Sequence, residues 1–355
     1  MNRPLVACVL AGGTGARLYP ASTESTPKQF RSFDGEKSLL ARTVERAAFA
    51  DVIYVLTREA LEDGVREILA DADLASERVT ILTEPRAKDT GPALVYAAHR
   101  IGREVGDCVL LSLPSDHHVA DGNDEADTTT GFEGTMREAA RVATKTDGLV
   151  TIGVEPTRAA TGYGYLKPGD VDEGEEYARV ETFTEKPDPG AAARYVHHGY
   201  LWNAGIFAWT PTALFDAARE TDLAPFVEAL DSGDPEEGFA AVDPVSIDYA
   251  VLEPAASEGV VSVVRAGFAW DDLGAWDAME RVGETDENGN TVLGEALVRD
   301  ASETIVASDG DTHVSVLGVS DLVVAAYGDR VLVLPKHEAQ RVREVVSELR
   351  ERDLF

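Results

Sequence analysis

The sequence predicts an α/β fold with a mixed sheet, followed by a small β-rich domain that ends in a helix. Three observations carry this reading. Strand-length apolar runs alternate with helix-length amphipathic stretches as far as residue 154; strand-like segments then follow one another without a helix between them from Tyr163 to Pro187, with another at 200 to 210; and short, evenly spaced β-like stretches follow a polar, turn-rich segment, ETDENGN, after Gly283.

The elements follow in order. Residues 5 to 11 form a continuous apolar run ending in glycines, the pattern of a buried parallel strand feeding a loop. Leu40, Val44, Ala47 and Ala48 stand at helical spacing, and VIYVLT (52 to 57) reads as the second strand. A helix around 59 to 70, strand VTILTEP (79 to 85), a helix from Thr90, strand CVLLSLPSD (108 to 116), a helix around 131 to 144 and strand LVTIGV (149 to 154) continue the alternation. Such alternation implies a parallel sheet covered on both faces, with ligands at the carboxyl ends of its strands. The helix-free middle of the chain implies an antiparallel extension of that sheet, a plausible place for a substrate lobe. Beyond the boundary, TVLGEALV, THVSVLGV, DLVVAAY and RVLVLP read as strands of a β-roll or β-helix without a strict repeat, and Val342, Val345, Val346 and Leu349 mark one face of a final helix. The expected domains are therefore 1–285 and 286–355.

Composition bounds the function. No apolar run approaches the about 18 residues of a membrane helix. The four residues before Leu5 leave no room for an export signal, so a cytoplasmic protein is expected. Cys8 and Cys108 lie in apolar strands as buried thiols, consistent with a reduced compartment. With 64 acidic against 32 basic residues and a net charge of −32, spread along the chain without low-complexity blocks, the surface reads as that of a folded, salt-adapted protein; an acidic enzyme of ordinary habitat is the alternative. Nucleic acid is excluded as a partner. In molar salt the Debye length shrinks to about 3 Å, so an anionic substrate would answer only to local bases and cations.

The strongest motif, AGGTGARLYPASTESTPKQF at 11 to 30, directly follows the first strand. Glycines let backbone amides approach phosphates, and Arg17 and Lys28 add charge. A dinucleotide fingerprint fails, because its third glycine position holds Leu18 and Thr57 stands where the second strand should end in an acid. A P-loop fails because Arg17 and Leu18 replace its lysine and hydroxyl. The loop resembles instead the signature of sugar-phosphate nucleotidylyltransferases, close to G-G-x-G-T-R-L-W-P followed by P-K-Q, with Ala16 for the threonine and Tyr19 for the tryptophan. That resemblance implies a Rossmann-like nucleotidyltransferase domain in which Gly12, Gly13 and Gly15 wrap a nucleotide while Arg17 and Lys28 hold its triphosphate.

Further strings make the resemblance specific to mannose-1-phosphate guanylyltransferases, from about residue 5 to 335, GVSDLVVAAYGDRVLVLP included. LPSDHH (113 to 118) and AWDDLGAW (269 to 276) imply that Asp116 and Asp272 hold Mg²⁺, a cation satisfied by one or two carboxylates plus substrate phosphates. TGYGYL, EKP and WNAGIF imply that Lys186 meets the sugar phosphate while Gly162, Glu185 and Asn203 meet hexose hydroxyls. TEPRAKDTGPAL (83 to 94) is similar to the segment near the nucleobase, which gives Glu84, Asp89 and Thr90 as nucleotide-binding, with Asp89 for an asparagine and Gly91 for an alanine. An acid there would accept from guanine N1–H and its amino group, while Thr90 reads equally well as a helix N-cap. His117-His118 and His197-His198 mimic metal ligands, but adjacent side chains diverge on strand or helix, so they are taken as supporting or surface residues.

The implied substrates are GTP and mannose-1-phosphate, with homo-oligomerisation compatible. Some members of the family carry an appended phosphomannose isomerase domain, which is not expected here. A phosphate monoester has its second pKa near about 6, so the attacking oxygen is already ionised and no general base is needed. Two competitors stay open: a hexose-1-phosphate nucleotidylyltransferase using UTP or dTTP, which Asp89 keeps alive, and a silent nucleotide-sugar sensor, which would be expected to lose the bases or aspartates present here.

Overall fold

The computed structural model describes residues 3–33, 37–72, 78–120 and 131–355. Two compact units divide them. The first is Met1–Gly12, Thr43–Pro114 and Val119–Trp270; the second is Gly13–Arg42, Ser115–His118 and Asp271–Phe355.

In chain order the first unit carries strands β1 (Leu5–Leu10), β2 (Val52–Arg58), β3 (Val79–Glu84) and β4 (Val109–Pro114), the short β5 (His118–Ala120) at its boundary, then β6 (Leu149–Val154), β7 (Tyr165–Val171), β8 (Tyr177–Thr184), β9 (Leu201–Trp209) and β10 (Val261–Arg265). A nine-stranded sheet runs β3-β2-β1-β4-β9-β6-β10-β8-β7. The α/β reading with a mixed sheet agrees with this. Val6 and Cys8 of β1 join the core that includes Leu94, Ala98 and Ile101 of the helix Thr90–Val105, and the alternate residues Ala7 and Val9 are equally buried on the other face. Both faces are covered, as continuous apolar strands require.

The antiparallel part is more than an extension. β9 is antiparallel to both β4 and β6 and sits in the middle of the sheet, and β10 runs parallel to β6 and antiparallel to β8. A register shift between Thr151 and Gly153 sets Asn203 of β9 opposite Gly153. The strand expected at 108 to 116 stops at Pro114, leaving Ser115–His117 as a bend before β5. The stretch between 211 and 268, for which the sequence pattern predicts no element, is mostly helical. Asp188, Thr210 and Asp234 each cap a helix whose first residue is proline, the side chain accepting from a main-chain N–H three residues on.

After the boundary strand β11 (Ala269–Asp271), the second unit holds β12 (Thr291–Leu293), β13 (Ala296–Arg299), β14 (Ile305–Ser308), β15 (Val314–Leu317), β16 (Leu322–Tyr327) and β17 (Arg330–Pro335). β12, β14 and β16 stack in parallel with β17 antiparallel at the edge, and β13 pairs in parallel with β15, the β-helix-like pattern. TVLGEALV is two strands, not one. It breaks at Gly294, whose left-handed backbone (φ 85°) lies against the Ser308 carbonyl. IVAS (305 to 308) is a further strand, absent from the sequence expectation.

Val306, Val314, Val316 and Ala326 fill the interior between these two sheets. Ile305, Ala307, Val323, Ala325 and Leu332 face outward and are covered by Leu18, Tyr19, Trp276, Val342 and Val346. The glycine-loop segment therefore packs on the β-rich core. Val345, expected on the buried face of the last helix, is instead exposed, because the apolar stripe runs through Val342, Val346 and Leu349. No helix among the described residues is long and apolar enough to cross a membrane.

Candidate active site

In the second unit the glycine loop is built around Lys28. Gly15 takes a left-handed conformation (φ 62°), and a Cβ there would collide with the Lys28 Cβ and come within 3.1 Å of its Cδ. Lys28 is buried, and its ammonium donates to Asp116 Oδ2 at 3.0 Å and to the Asp272 main-chain oxygen at 2.5 Å. Residues 88 and 244 positions away in sequence are thus gathered by one cation. Burial pushes the Asp116 carboxyl up, but the Lys28 ammonium wins and it ends below its ordinary value. The structure also separates the aspartates of AWDD. Asp271 is buried in a two-pronged pair with Arg281 (2.6 and 3.1 Å) and caps the Leu273 amide, whereas Asp272 accepts from the Gly274 amide at 3.0 Å.

Arg17 lies beside Gln340, its Nη1 donating to Oε1 at 3.3 Å, and Gln29 holds the loop through the Gly13 carbonyl at 2.8 Å. Among the described residues no group of three or more His, Cys, Asp or Glu side chains could hold a metal ion. The Asp116 and Asp272 carboxylates are hard oxygen donors, and such a pair suits a cation that takes its remaining ligands from phosphates and water. His117 lies 3.9 Å from Asp116 Oδ1, and burial holds its imidazole below the ordinary value against the pull of the carboxylates. His197 and His198 are exposed at a helix end.

In the first unit, Gly12 and Glu84 meet at the carboxyl ends of β1 and β3. A Cβ on Gly12 would stand 3.2 Å from Glu84 Oε1, while a Cβ on Gly13 would meet nothing. Glu84 is buried; its Oε2 and the Nε of nearby Arg58 have no hydrogen-bond partner among the described residues. Burial raises the Glu84 carboxyl to about 7, with Arg58 pulling down and Asp89 pushing up.

Asp89, with φ 67°, caps the helix Thr90–Val105 by accepting the Thr90 amide at 2.7 Å. This corrects the reading of Thr90 as the N-cap: Asp89 holds that place, and the Thr90 hydroxyl accepts the Ile247 amide at 3.0 Å. Gly91, where the related segment has alanine, has no room for a Cβ, which would fall 2.7 Å from the Val245 carbonyl.

The expected hexose residues converge in the same unit. The Asn203 main-chain N–H donates to the Gly164 carbonyl at 2.9 Å, the Lys186 amide donates to the Tyr163 carbonyl at 3.2 Å, and Lys186 Nζ reaches Glu185 Oε1 at 2.7 Å. The glycine with a packing role is Gly164, whose missing side chain admits the Glu185 carboxylate; Gly162 is exposed and a Cβ there would touch nothing. Sequence reasoning missed two further residues. Thr151 donates to Asn203 Oδ1 and Asp248 accepts from Asn203 Nδ2, both at 2.8 Å. Burial and the neighbouring Glu185 carboxylate raise the Asp248 carboxyl to about 7. Arg58 was missed as well, since neither it nor Asp248 stands in the quoted motifs.

Comparison with known proteins fits this arrangement. Residues 6–289 match the nucleotidyl transferase family and residues 294–349 match a mannose-P isomerase/GMP-like β-helix domain. The mannose-1-phosphate guanylyltransferase RfbM of Salmonella typhimurium is 32% identical over 97% of this chain and 72% of its own length. The xanthan biosynthesis protein XanB of Xanthomonas campestris pv. campestris is 35% identical over 96% and 72%. A crystal structure described as mannose-1-phosphate geranyltransferase, from Thermus thermophilus, superposes with a TM-score of 0.85 at 36% identity, covering 98% of this chain and 99% of that one. With a family match spanning most of its length and such relatives over nearly all of it, the chain belongs to the nucleotidyl transferase family, alongside the mannose-1-phosphate guanylyltransferases.

Proposed function

We propose that this chain transfers the guanylyl group of GTP to mannose-1-phosphate, giving GDP-mannose and pyrophosphate, with Mg²⁺, in a salt-rich cytoplasm. The observation that carries the choice of base is the buried Glu84 carboxylate with its unpartnered Oε2. Guanine offers two adjacent donors, N1–H and the N2 amino group, and an ionised carboxylate is an acceptor-only group that takes both. Uracil and thymine present one N–H between two carbonyls, which would leave a Glu84 oxygen facing an acceptor. Asp89, the acid to which the sequence points for this role, already uses its carboxylate as a helix cap.

The sugar phosphate oxygen attacks the α-phosphorus in line and pyrophosphate leaves. What the protein supplies is alignment and neutralisation of crowded anions. Arg17 and Lys28 answer to the triphosphate and Lys186 to the sugar phosphate. Asp116 and Asp272 would hold Mg²⁺, which supplies further neutralisation of phosphate charge when bound. Lys28 keeps the Asp116 carboxylate ionised and so ready for a cation.

The test is pyrophosphate release across GTP, ATP, UTP and dTTP paired with mannose-, glucose- and galactose-1-phosphate, with and without chelator, in low and in molar KCl. GTP with mannose-1-phosphate should be preferred, and only with a divalent cation. Equal rates with UTP and glucose-1-phosphate would overturn the assignment of base and sugar.

A further inference from the structure

We propose that Asp248 is a positioning residue for the hexose: it fixes the Asn203 amide so that this side chain offers the sugar a hydrogen-bond donor and no acceptor. The inference rests on the reading of a hexose-1-phosphate site around Asn203, Glu185 and Lys186, and adds the device that sets its selectivity.

The orientation of the Asn203 amide is decided by its partners. The Gly205 main-chain N–H, which can only donate, points to Oδ1 at 3.1 Å, and the Thr151 hydroxyl donates to the same oxygen at 2.8 Å. Nδ2 gives one hydrogen to Asp248 Oδ1 at 2.8 Å. An amide oxygen has two lone pairs and an amide nitrogen two hydrogens, so the acceptor capacity is spent and one N–H is left. The Gly205 amide and Asp248 together exclude the flipped amide, which would set N–H against N–H and oxygen against oxygen.

Asp248 is placed for this by its backbone. It opens a single π-helical turn, Asp248–Leu252, a local irregularity of the kind that re-aims one side chain. The Glu185 carboxylate lies near enough to raise the Asp248 carboxyl. A hydroxyl entering here meets one fixed donor beside carboxylate oxygens that accept, so the stereochemistry of the ring decides which hydroxyls are satisfied.

The experiment measures equilibrium binding of mannose-, glucose- and galactose-1-phosphate and of GTP to the wild type, Asp248→Ala, Asp248→Asn and Thr151→Val. Loss of one hydrogen bond to a charged group predicts about tenfold or greater weakening of the preferred hexose phosphate in Asp248→Ala, with GTP affinity within about twofold. The discrimination between epimers should collapse in the same variant. Asp248→Asn still offers an amide oxygen to Asn203 and should recover most of the loss. Thr151→Val, which returns one lone pair to Asn203 Oδ1, should shift epimer preference without touching GTP, and it carries the test if Asp248→Ala does not fold.

Unchanged sugar affinity and epimer ratio in Asp248→Ala, or in Thr151→Val if that variant alone folds, would overturn the proposal. Parallel loss of GTP binding would do the same, since that marks general disorder. A wild type that prefers glucose-1-phosphate would end the mannose reading while leaving Asp248 testable on that sugar; a wild type that binds none of the three ends both.

Discussion

Gly15 and Lys28 are fitted to each other: the glycine's left-handed backbone and missing Cβ make the space in which the lysine stem lies, and the stem delivers its ammonium to Asp116 and the Asp272 carbonyl. Gly15→Ala should therefore act through Lys28. The left-handed backbone alone costs about 1 kcal/mol in an alanine, and the collision with the Lys28 Cβ adds to it. We expect a lowered melting temperature together with GTP affinity reduced about tenfold or more, as when a charge-assisted contact is lost. Calorimetry and equilibrium GTP binding on one preparation check both. Intact GTP binding would separate Lys28 from the triphosphate.

The neighbouring aspartates of AWDD should divide their effects. Asp271→Asn removes charge from the buried pair with Arg281 and should cost about 2 kcal/mol or more of stability, read from urea denaturation. Asp272→Asn keeps an oxygen for the Gly274 amide and should leave stability nearly intact while turnover falls by about two orders of magnitude. Equal turnover losses with equal stability losses would reject the division.

Glu84 predicts the pH dependence of GTP binding. The guanine edge needs the carboxylate ionised, and the carboxyl is raised to about 7, so GTP affinity should climb as pH rises through about 7 and level off above it. Glu84→Gln should flatten that rise and weaken GTP by about ten- to a hundredfold, while improving UTP relative to GTP. Isothermal titrations between about pH 6 and about 8.5 decide it.

Much of this was legible in the chain because local rules apply locally. β1 is a continuous apolar run, β2 and β6 are mostly apolar, β3 carries Val79, Ile81 and Leu82, and the glycine loop announces itself by Gly12, Gly13, Gly15, Arg17 and Lys28. The position of β9 was not legible, since nothing in Leu201–Trp209 says that it will insert antiparallel between β4 and β6 instead of adding at an edge. The helices Pro211–Arg219 and Pro235–Ala241 carried readable signals, a capping Thr210 or Asp234 before proline, that went unused. Asp248 was hidden for another reason. Its role depends on Asn203, 45 residues away, through a contact that only the fold creates. Glu84 was visible as a residue, but its missing partner was not, because burial of one carboxylate oxygen is a tertiary fact.

Asp248 also predicts a gain of stability when its charge is removed and its oxygen is kept. Its carboxyl titrates near 7 in the fold against an ordinary 3.8, through burial and the charge of Glu185. A raised acid means that the folded state holds the proton more tightly than the unfolded one. Its contribution is therefore fully present below about pH 4, is lost progressively as pH rises towards 7, and is a constant penalty above that. The difference, which already includes the Asn203 hydrogen bond, corresponds to about 4 kcal/mol at most, and partial solvent access reduces it to about 2. Asp248→Asn cannot ionise and keeps an oxygen for Asn203, so it escapes the penalty. At about pH 8 the variant should be more stable than the wild type by that amount, and at about pH 4 the two should converge. Both are read from urea denaturation at fixed KCl, which holds screening of the many surface carboxylates constant and leaves the difference to this one group. A variant less stable than the wild type at about pH 8, with the deficit closing towards acid pH, would mean that Asp248 is ionised and stabilised in the fold, the opposite sign.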